Sequence, residues 1–221
     1  MALPALFTWL YFVALQGHPS GVQQTVYAVG KVLLFSLPVL GVLLLRMPAC
    51  PWFRRSMSGV ASSLLFGGLV FALIVGGYFF WPSLSTAGAE IHNRLVRFGI
   101  SSVWQFAIMG VFYSAIHSFL EEYYWRWFVF GQLRQWCSPT WAAVLSSLAF
   151  MPHHVIVLGL YFGHGSANSI LFSLGVSVGG GVWCWIYHRS NSLLGPWLSH
   201  ALADAAIFTV GYQLLRPAMG W

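Results

Sequence analysis

The sequence predicts an all-α fold, a polytopic transmembrane helical bundle of about seven spans, within limits of roughly six to eight. Composition supplies two of the observations behind this prediction: 58% of the 221 residues are hydrophobic and only 6% are charged. Soluble domains carry roughly 25% charged residues. The third observation is that the apolar residues form runs of about 20 residues, the length that one membrane-spanning helix requires.

Six runs reach this length and are joined by short connectors rich in Gly, Pro, Ser and Asn. They lie at about residues 22–45, 59–81, 98–120 with a continuation to 130, 141–162, 166–187 and 193–215. A shorter run, about 3–15, lacks the basic segment of a signal peptide, so we interpret it as a short additional span. The sequence shows no internal repeat and no soluble domain, so we expect a single integral membrane domain over residues 1–221.

Basic residues at the ends of the apolar runs supply the formal net charge of +6. They form no basic stripe, so nucleic acid is not an expected partner. If Arg46, Arg54 and Arg55 are cytoplasmic, alternation of the spans also places Arg134 and Arg189 inside, and the N-terminus is cytoplasmic. The lipid bilayer is then the surrounding partner, while the oligomeric state is left open.

Tryptophans cluster near the predicted cytoplasmic ends of the spans. Trp side chains are enriched at membrane interfaces, so this clustering indicates an aromatic belt. The residues concerned are Trp125, Trp127, Trp136, Trp141, Trp183, Trp185 and Trp197.

Three of the four carboxylates, Glu121, Glu122 and Asp204, lie inside apolar runs. A charged side chain at a bilayer centre costs roughly 2.5 to 3.5 kcal/mol on translocon scales, so such acids are functional-site candidates by default. The fourth, Glu90, is expected in a connecting loop.

The two adjacent glutamates are predicted to be unequal. Glu122 and Arg126 are four residues apart and can pair along one helix face, whereas Glu121 points about 100° away, above His117. Glu121 is therefore left free as a candidate general base. The alternative is a buried salt-bridge network that only ties helices together.

Two further polar groups follow on later runs. His153 and His154 come directly after a proline, and because adjacent helical residues diverge by about 100°, only one of them can easily face Glu121. His200 and Asp204 are four residues apart, so Asp204 can orient the imidazole or both can bind a substrate oxygen. Simple hydrogen-bonded packing is the alternative for each group.

In this order, Glu-Glu-x-x-x-Arg, Phe-x-x-x-His and His-x-x-x-Asp resemble the three motifs of the CPBP family of intramembrane proteases. That family includes type II CaaX prenyl endopeptidases and bacteriocin-processing and self-immunity proteins. The resemblance covers about residues 98–215, the motif-bearing core. It implies that Glu121 activates water and that His200 stabilises the oxyanion, with Asp204 at a position that varies between Asn and Asp among members. The implied site is Glu121, His154, His200 and Asp204, supported by Glu122 and Arg126, with His153 and His117 as runners-up.

The resemblance implies a glutamic-type intramembrane endopeptidase, a hydrolase of a bacterial inner or plasma membrane. Its partner would be a membrane-embedded protein or peptide: a C-terminal sorting tail, a prenylated CaaX-like peptide or a bacteriocin precursor. No cofactor is expected. A zinc enzyme with Glu121, His154 and His200 as ligands is the metal-dependent alternative, although the His-Glu-x-x-His signature is absent. A different class of function, a non-catalytic transporter or a bacteriocin self-immunity protein, would use the same polar cluster.

Overall fold

The computed structural model describes residues 1–46, 59–81, 84 and 87–221. Within these residues every regular element is helical, which confirms the predicted all-α fold. Arg54 and Arg55, on which the predicted orientation partly depends, lie outside the described residues. The helices are α1 (Leu3–Ala14), α2 (Ser20–Leu45), α3 (Val60–Phe80), α4 (Ala87–Arg97), α5 (Val103–Leu133), α6 (Pro139–Phe162), α7 (Ala167–Ser190) and α8 (Leu194–Met219).

Five of the described helices, α2, α3, α5, α6 and α7, are long and apolar enough to cross a membrane. Large hydrophobic side chains such as Leu44, Leu65 and Phe80 are exposed on them, as lipid-facing surfaces require. Helix α8 has 26 residues and is long enough as well, but it carries more polar side chains. Helix α1 reaches only about 18 Å, less than the thickness of a bilayer core of about 30 Å.

The chain folds into two compact units. Unit one contains the described residues of Met1–Trp52 together with Tyr123–His188, and unit two contains those of Phe53–Glu122 together with Arg189–Trp221. Helix α5 therefore contributes its residues up to Glu122 to unit two and the rest to unit one.

In unit two, α3 and α8 approach each other closely. A side-chain carbon added at Gly67 would lie 2.9 Å from the Cα atom of Ser199, so only a glycine fits there without a shift. Ser63 and Ser199 are fully buried. Small residues at such a contact allow helix backbones to pack by van der Waals contact where the hydrophobic effect contributes little. This packing fixes the turn of α8 that holds His200.

In unit one, polar side chains bond to backbone carbonyls of neighbouring helices. The hydroxyl of Tyr123 donates to the carbonyl of Phe35, with 3.3 Å between the oxygens, and the hydroxyl of Ser177 donates to the carbonyl of Ser147 at 3.2 Å. These bonds tie α5 to α2 and α7 to α6. Buried hydroxyls that are satisfied in this way stabilise helix contacts in membranes.

Two predictions about the surroundings of the spans are wrong. Glu90 lies on the amphipathic helix α4, where it pairs with Arg94 at 2.8 Å, rather than in a loop. This helix has 11 residues and carries charged side chains, so it is too short and too polar to cross a membrane. The predicted aromatic belt is also wrong in part, because Trp125, Trp127 and Trp183 are buried in the protein rather than exposed at a membrane interface.

Candidate active site

Helix α5 carries the two adjacent glutamates and is not a regular α-helix. Phe112–His117 and Tyr123–Phe130 are π-helical, and Ser118–Glu122 between them is α-helical. A π-helix has hydrogen bonds from residue i to i+5, and short π segments occur frequently at functional sites. In a π-helix, residues four apart do not lie on the same face as they do in an α-helix, so the spacing of Glu122 and Arg126 does not establish a contact. The predicted ion pair between them stays a prediction.

Trp197 fixes α8 against the first π segment of α5. Its indole N–H donates to the carbonyl of Ala115 at 2.8 Å, and its ring packs edge-on against Phe119 at 5.6 Å between centroids. His200 follows three residues later, on nearly the same face of α8. The bond between Trp197 and Ala115 therefore helps to aim the imidazole at the glutamates.

His200 bonds to Glu122. The Nδ1 atom of His200 lies 2.7 Å from Oε1 of Glu122. A carboxylate oxygen accepts, so the imidazole Nδ1–H donates. Both residues are buried, with exposed fractions of 4% for His200 and 0% for Glu122. Helical spacing does not predict this contact, because 78 residues separate the partners.

Glu121 lies between two imidazoles. Its Oε1 atom is 3.7 Å from Nε2 of His117, and its Oε2 atom is 3.8 Å from Nε2 of His200. The predicted position above His117 is correct. The prediction that Glu121 is left unpaired is wrong, because folding places His200 beside it.

Asp204 completes the cluster in unit two. Its Oδ1 atom is 3.8 Å from Nε2 of His200, as expected from their spacing of four residues, and its side chain is partly exposed. The carboxyl groups of Glu121, Glu122 and Asp204 therefore all lie within 4 Å of one imidazole. A positive charge on that ring would be attracted by every ionised neighbour.

The two histidines of the second motif lie in unit one, on α6. Nδ1 of His154 is 3.3 Å from the carbonyl oxygen of Phe150, which makes Nδ1 the donor and directs the lone pair of the neutral ring to Nε2. His153 is buried and its ring is stacked parallel to Trp125, with centroids 6.0 Å apart. Adjacent helical residues diverge by about 100°, yet the rings of His153 and His154 are in contact, with centroids 4.0 Å apart. The choice of His154 over His153 remains a proposal.

Arg126 also lies in unit one, between two aromatic rings. Its guanidinium carbon is 4.8 Å from the centroid of Phe150 and 4.9 Å from that of Trp183. The side chain is only 1% exposed, a setting in which cation–π contacts contribute about 2 kcal/mol or more. A carbon added at Gly180 would lie 3.3 Å from Nη2 of Arg126, so Gly180 leaves room for the guanidinium. The sequence predicts Trp183 at the membrane interface, and its contact with Arg126 depends on the folded chain.

An all-helical membrane fold that buries adjacent glutamates beside a histidine has a candidate functional site within its spans. Residues 102–206 match the family model described as type II CAAX prenyl endopeptidase Rce1-like. The match contains all three motifs and confirms the resemblance predicted from them. Over this stretch, about 48% of the chain, the protein is similar to the Rce1-like type II CAAX prenyl endopeptidases. No curated protein and no solved structure matches the chain.

Proposed function

We propose that this protein is a glutamic-type intramembrane endopeptidase in which Glu121 activates a water molecule. One observation carries the proposal: two buried glutamates, Glu121 and Glu122, lie on either side of the buried imidazole of His200. A structural ion pair would need only one acid. Glu122 bonds to one ring nitrogen, and Glu121 lies 3.8 Å from the other.

In the proposed reaction Glu121 takes a proton from water while the water oxygen attacks the scissile carbonyl carbon. Because Nδ1–H of His200 donates to Glu122, its Nε2 carries a proton only in the imidazolium form. We infer that this form donates Nε2–H to the oxyanion of the tetrahedral intermediate. The C–N bond then breaks, and Glu121 returns its proton to the leaving amine. No covalent intermediate with the enzyme forms.

His154 has the role of a second acceptor for the attacking water. Its position in the second motif and its local geometry support this role. Since Nδ1–H is used by the carbonyl of Phe150, Nε2 is an acceptor in the neutral ring. Asp204, which neighbours Nε2 of His200, helps to keep the imidazole positive.

The proposed substrate is a membrane-associated protein or peptide cleaved near its C-terminus. The description of the matched family, a CAAX prenyl endopeptidase, supports this choice over a sorting tail or a bacteriocin precursor. A Cys-a-a-X motif is by definition C-terminal, and prenylation brings it to the membrane. We further propose a bacterial plasma membrane as the location, with the N-terminus in the cytoplasm.

Glu121→Gln tests the proposal. In the reconstituted full-length protein, cleavage of prenylated C-terminal peptides is expected to fall about 100- to 10,000-fold, the usual contribution of a general base. The amide keeps the shape of the side chain, so helix content and thermal stability should match the wild type. Glu90→Gln, the same change at an acid on α4, is the control and should retain full activity.

Chelators separate the metal-independent reaction from the zinc alternative. We expect cleavage to survive strong chelation and metal-free preparation. Loss of activity that added Zn²⁺ restores would instead assign Glu121, His154 and His200 as ligands. Wild-type activity in Glu121→Gln would overturn the glutamate mechanism itself.

A further inference from the structure

Helix α4 lies between the ends of two spans of unit two. Helix α3 ends at Phe80 and α5 begins at Val103, so short connectors keep both ends of α4 near one face of the membrane. Trp81 follows the end of α3 and Trp104 lies in the first turn of α5, and both are exposed, Trp104 to 76%. Tryptophan side chains in such positions are typical of the level of the lipid headgroups. Helix α4 is therefore placed at the interface between membrane and water.

One face of α4 packs against the protein. Ala87, Ile91 and Leu95 follow one another at intervals of four residues and so share this face. Ala87 and Leu95 are buried, and Leu95 forms a buried cluster with Phe106 of α5 and Leu215 of α8. Ile91 packs against the same cluster. These contacts fix α4 against the start of α5 and the end of α8, all within unit two.

The C-terminal turn of α4 has a defined ending. Gly99 has a φ of 73°, in the left-handed region, and its N–H donates to the carbonyl of Val96 at 3.0 Å. The N–H of Ile100 donates to the carbonyl of Leu95 at 2.9 Å. This pair of bonds is the Schellman motif, which satisfies the last carbonyls of a helix. The backbone of Arg97, which lies in this turn, is therefore held in place.

The outer side of α4 combines a cation with apolar side chains. Arg97 is exposed, and so are its neighbours Val96 and Phe98. Helices that lie on a membrane surface place apolar side chains at the acyl boundary and cations among the headgroups. Arg216, in the last turn of α8, is also exposed and directly follows Leu215 of the shared cluster. Two adjacent elements thus each present an exposed arginine at this interface.

The net charge at this interface is positive. Glu90 pairs with Arg94 at 2.8 Å, so these two side chains together carry no net charge. Arg97 and Arg216 then contribute +2. The sequence has four Asp and Glu residues, and the three besides Glu90 all lie within 4 Å of the His200 imidazole. An anion from another molecule can therefore pair with the two exposed arginines.

We propose that Arg97 and Arg216 bind the phosphate of an anionic lipid at the membrane surface. A lipid supplies both groups that this surface requires, because its phosphate lies at the level of the arginines and its acyl chains contact Val96 and Phe98. The planar guanidinium can donate two parallel hydrogen bonds to phosphate oxygens. Since the surface has a net positive charge, it favours a lipid with a net negative charge over a zwitterionic lipid with the same phosphate. This binding does not depend on peptidase activity.

The experiment measures which lipid lies beside α4 in vesicles. In full-length protein with its own cysteines replaced by serine, Asn93→Cys carries a fluorescent label. Asn93 is exposed and lies four residues before Arg97, on the same side of α4. Quenching is compared for phosphatidylglycerol and phosphatidylcholine that carry the same nitroxide near the headgroup, each as a minor component of both leaflets of phosphatidylcholine vesicles. We expect phosphatidylglycerol to associate about 5- to 30-fold more strongly at low salt, as for two arginines near an anionic surface, and less so as salt rises.

Substitutions of the two arginines test the assignment. Arg97→Gln combined with Arg216→Gln should remove most of the preference, whereas Arg97→Lys combined with Arg216→Lys should keep most of it because the charge is retained. Arg134→Gln is the matched control, because it removes the same charge just after the other end of α5 and should leave the preference unchanged. Helix content measured by circular dichroism shows that each variant is folded.

Three results would overturn the inference. The first is equal quenching by the two lipids in protein that retains both arginines. The second is a preference for phosphatidylglycerol that survives the double substitution to glutamine. The third is an equal loss of preference in Arg134→Gln, which would reveal a general effect of net charge in place of a site at α4 and α8.

Discussion

His200 is the residue on which the candidate site depends most. Its two ring nitrogens contact different acids: Nδ1 bonds to Glu122, and Nε2 faces Glu121 and Asp204. Helical spacing predicts the contacts of Glu121 with His117 and of His200 with Asp204, since each pair is four residues apart. The contact of His200 with Glu122 could not be predicted, because it depends on how α5 and α8 pack.

Glu122→Gln tests this contact. The amide still accepts a hydrogen bond but carries no charge, so it stabilises the imidazolium less. We expect kcat to fall about 10- to 1,000-fold with KM nearly unchanged, because the lost interaction acts on the oxyanion. Steady-state kinetics of the purified protein measures both constants.

Asp204→Asn provides the comparison for Glu122→Gln. The carboxylate of Asp204 is 3.8 Å from the His200 ring and partly exposed, so the loss of its charge should lower kcat by a smaller factor than the loss of the Glu122 charge. A Glu122→Gln protein with wild-type kcat would show that the contact is only structural.

At the scale of elements, the positions of the spans could be predicted from the sequence, but the π-helical segments within them could not. The run predicted at about 22–45 is α2, and the run predicted at about 141–162 is α6, because run length and turn residues determine where spans begin and end. The π segments of α5 have no signature in single-residue patterns, since they depend on the packing of neighbouring helices. The close contact of α3 with α8 at Gly67 was missed for the same reason.

Gly67→Ala tests that contact. The new methyl group would meet the backbone of Ser199 at 2.9 Å, so α8 must shift and His200 moves with it. We expect a loss of about 1 to 3 kcal/mol in stability, as for an overpacked core, together with reduced activity. Thermal unfolding and cleavage assays measure the two effects.

Gly68→Ala is the neighbouring control, because a methyl group there meets nothing within 4 Å. Alanine is the better helix former, so this variant should be unchanged or slightly more stable. Equal effects of the two substitutions would mean that α3 and α8 do not touch at Gly67.

At the scale of the whole molecule, composition alone predicted the membrane class, and the ordered motifs predicted the family. The match over residues 102–206 confirms the resemblance to the Rce1-like type II CAAX prenyl endopeptidases in that stretch. Orientation cannot be obtained in the same way, because the basic residues are few and α1 is shorter than a full span. Substrate identity depends on pocket chemistry, which a motif does not encode.

Labelling from the two sides of the membrane tests the predicted orientation. In a protein with its own cysteines replaced by serine, Gly165→Cys should react with an impermeant maleimide from outside. Trp136→Cys, in an exposed connector, should react only after the inner face is made accessible. Ala2→Cys should behave like Trp136→Cys if α1 crosses the membrane, and like Gly165→Cys if it does not. Reversed labelling of the two connectors would contradict the assignment from arginine positions.

The two π segments of α5 have a consequence for how this helix tolerates changes in length. A π segment holds one more residue than the α-helical stretch that would replace it, because each bond spans five residues instead of four. Deleting one residue within Phe112–His117 would allow an α-helix to form there. The α-helical stretch would cover the same turn with one residue fewer, so the residues before it would keep nearly the same direction relative to the glutamates. Within its π segments, this helix can therefore lose one residue while the side chains of the site keep their directions, which a regular α-helix could not do.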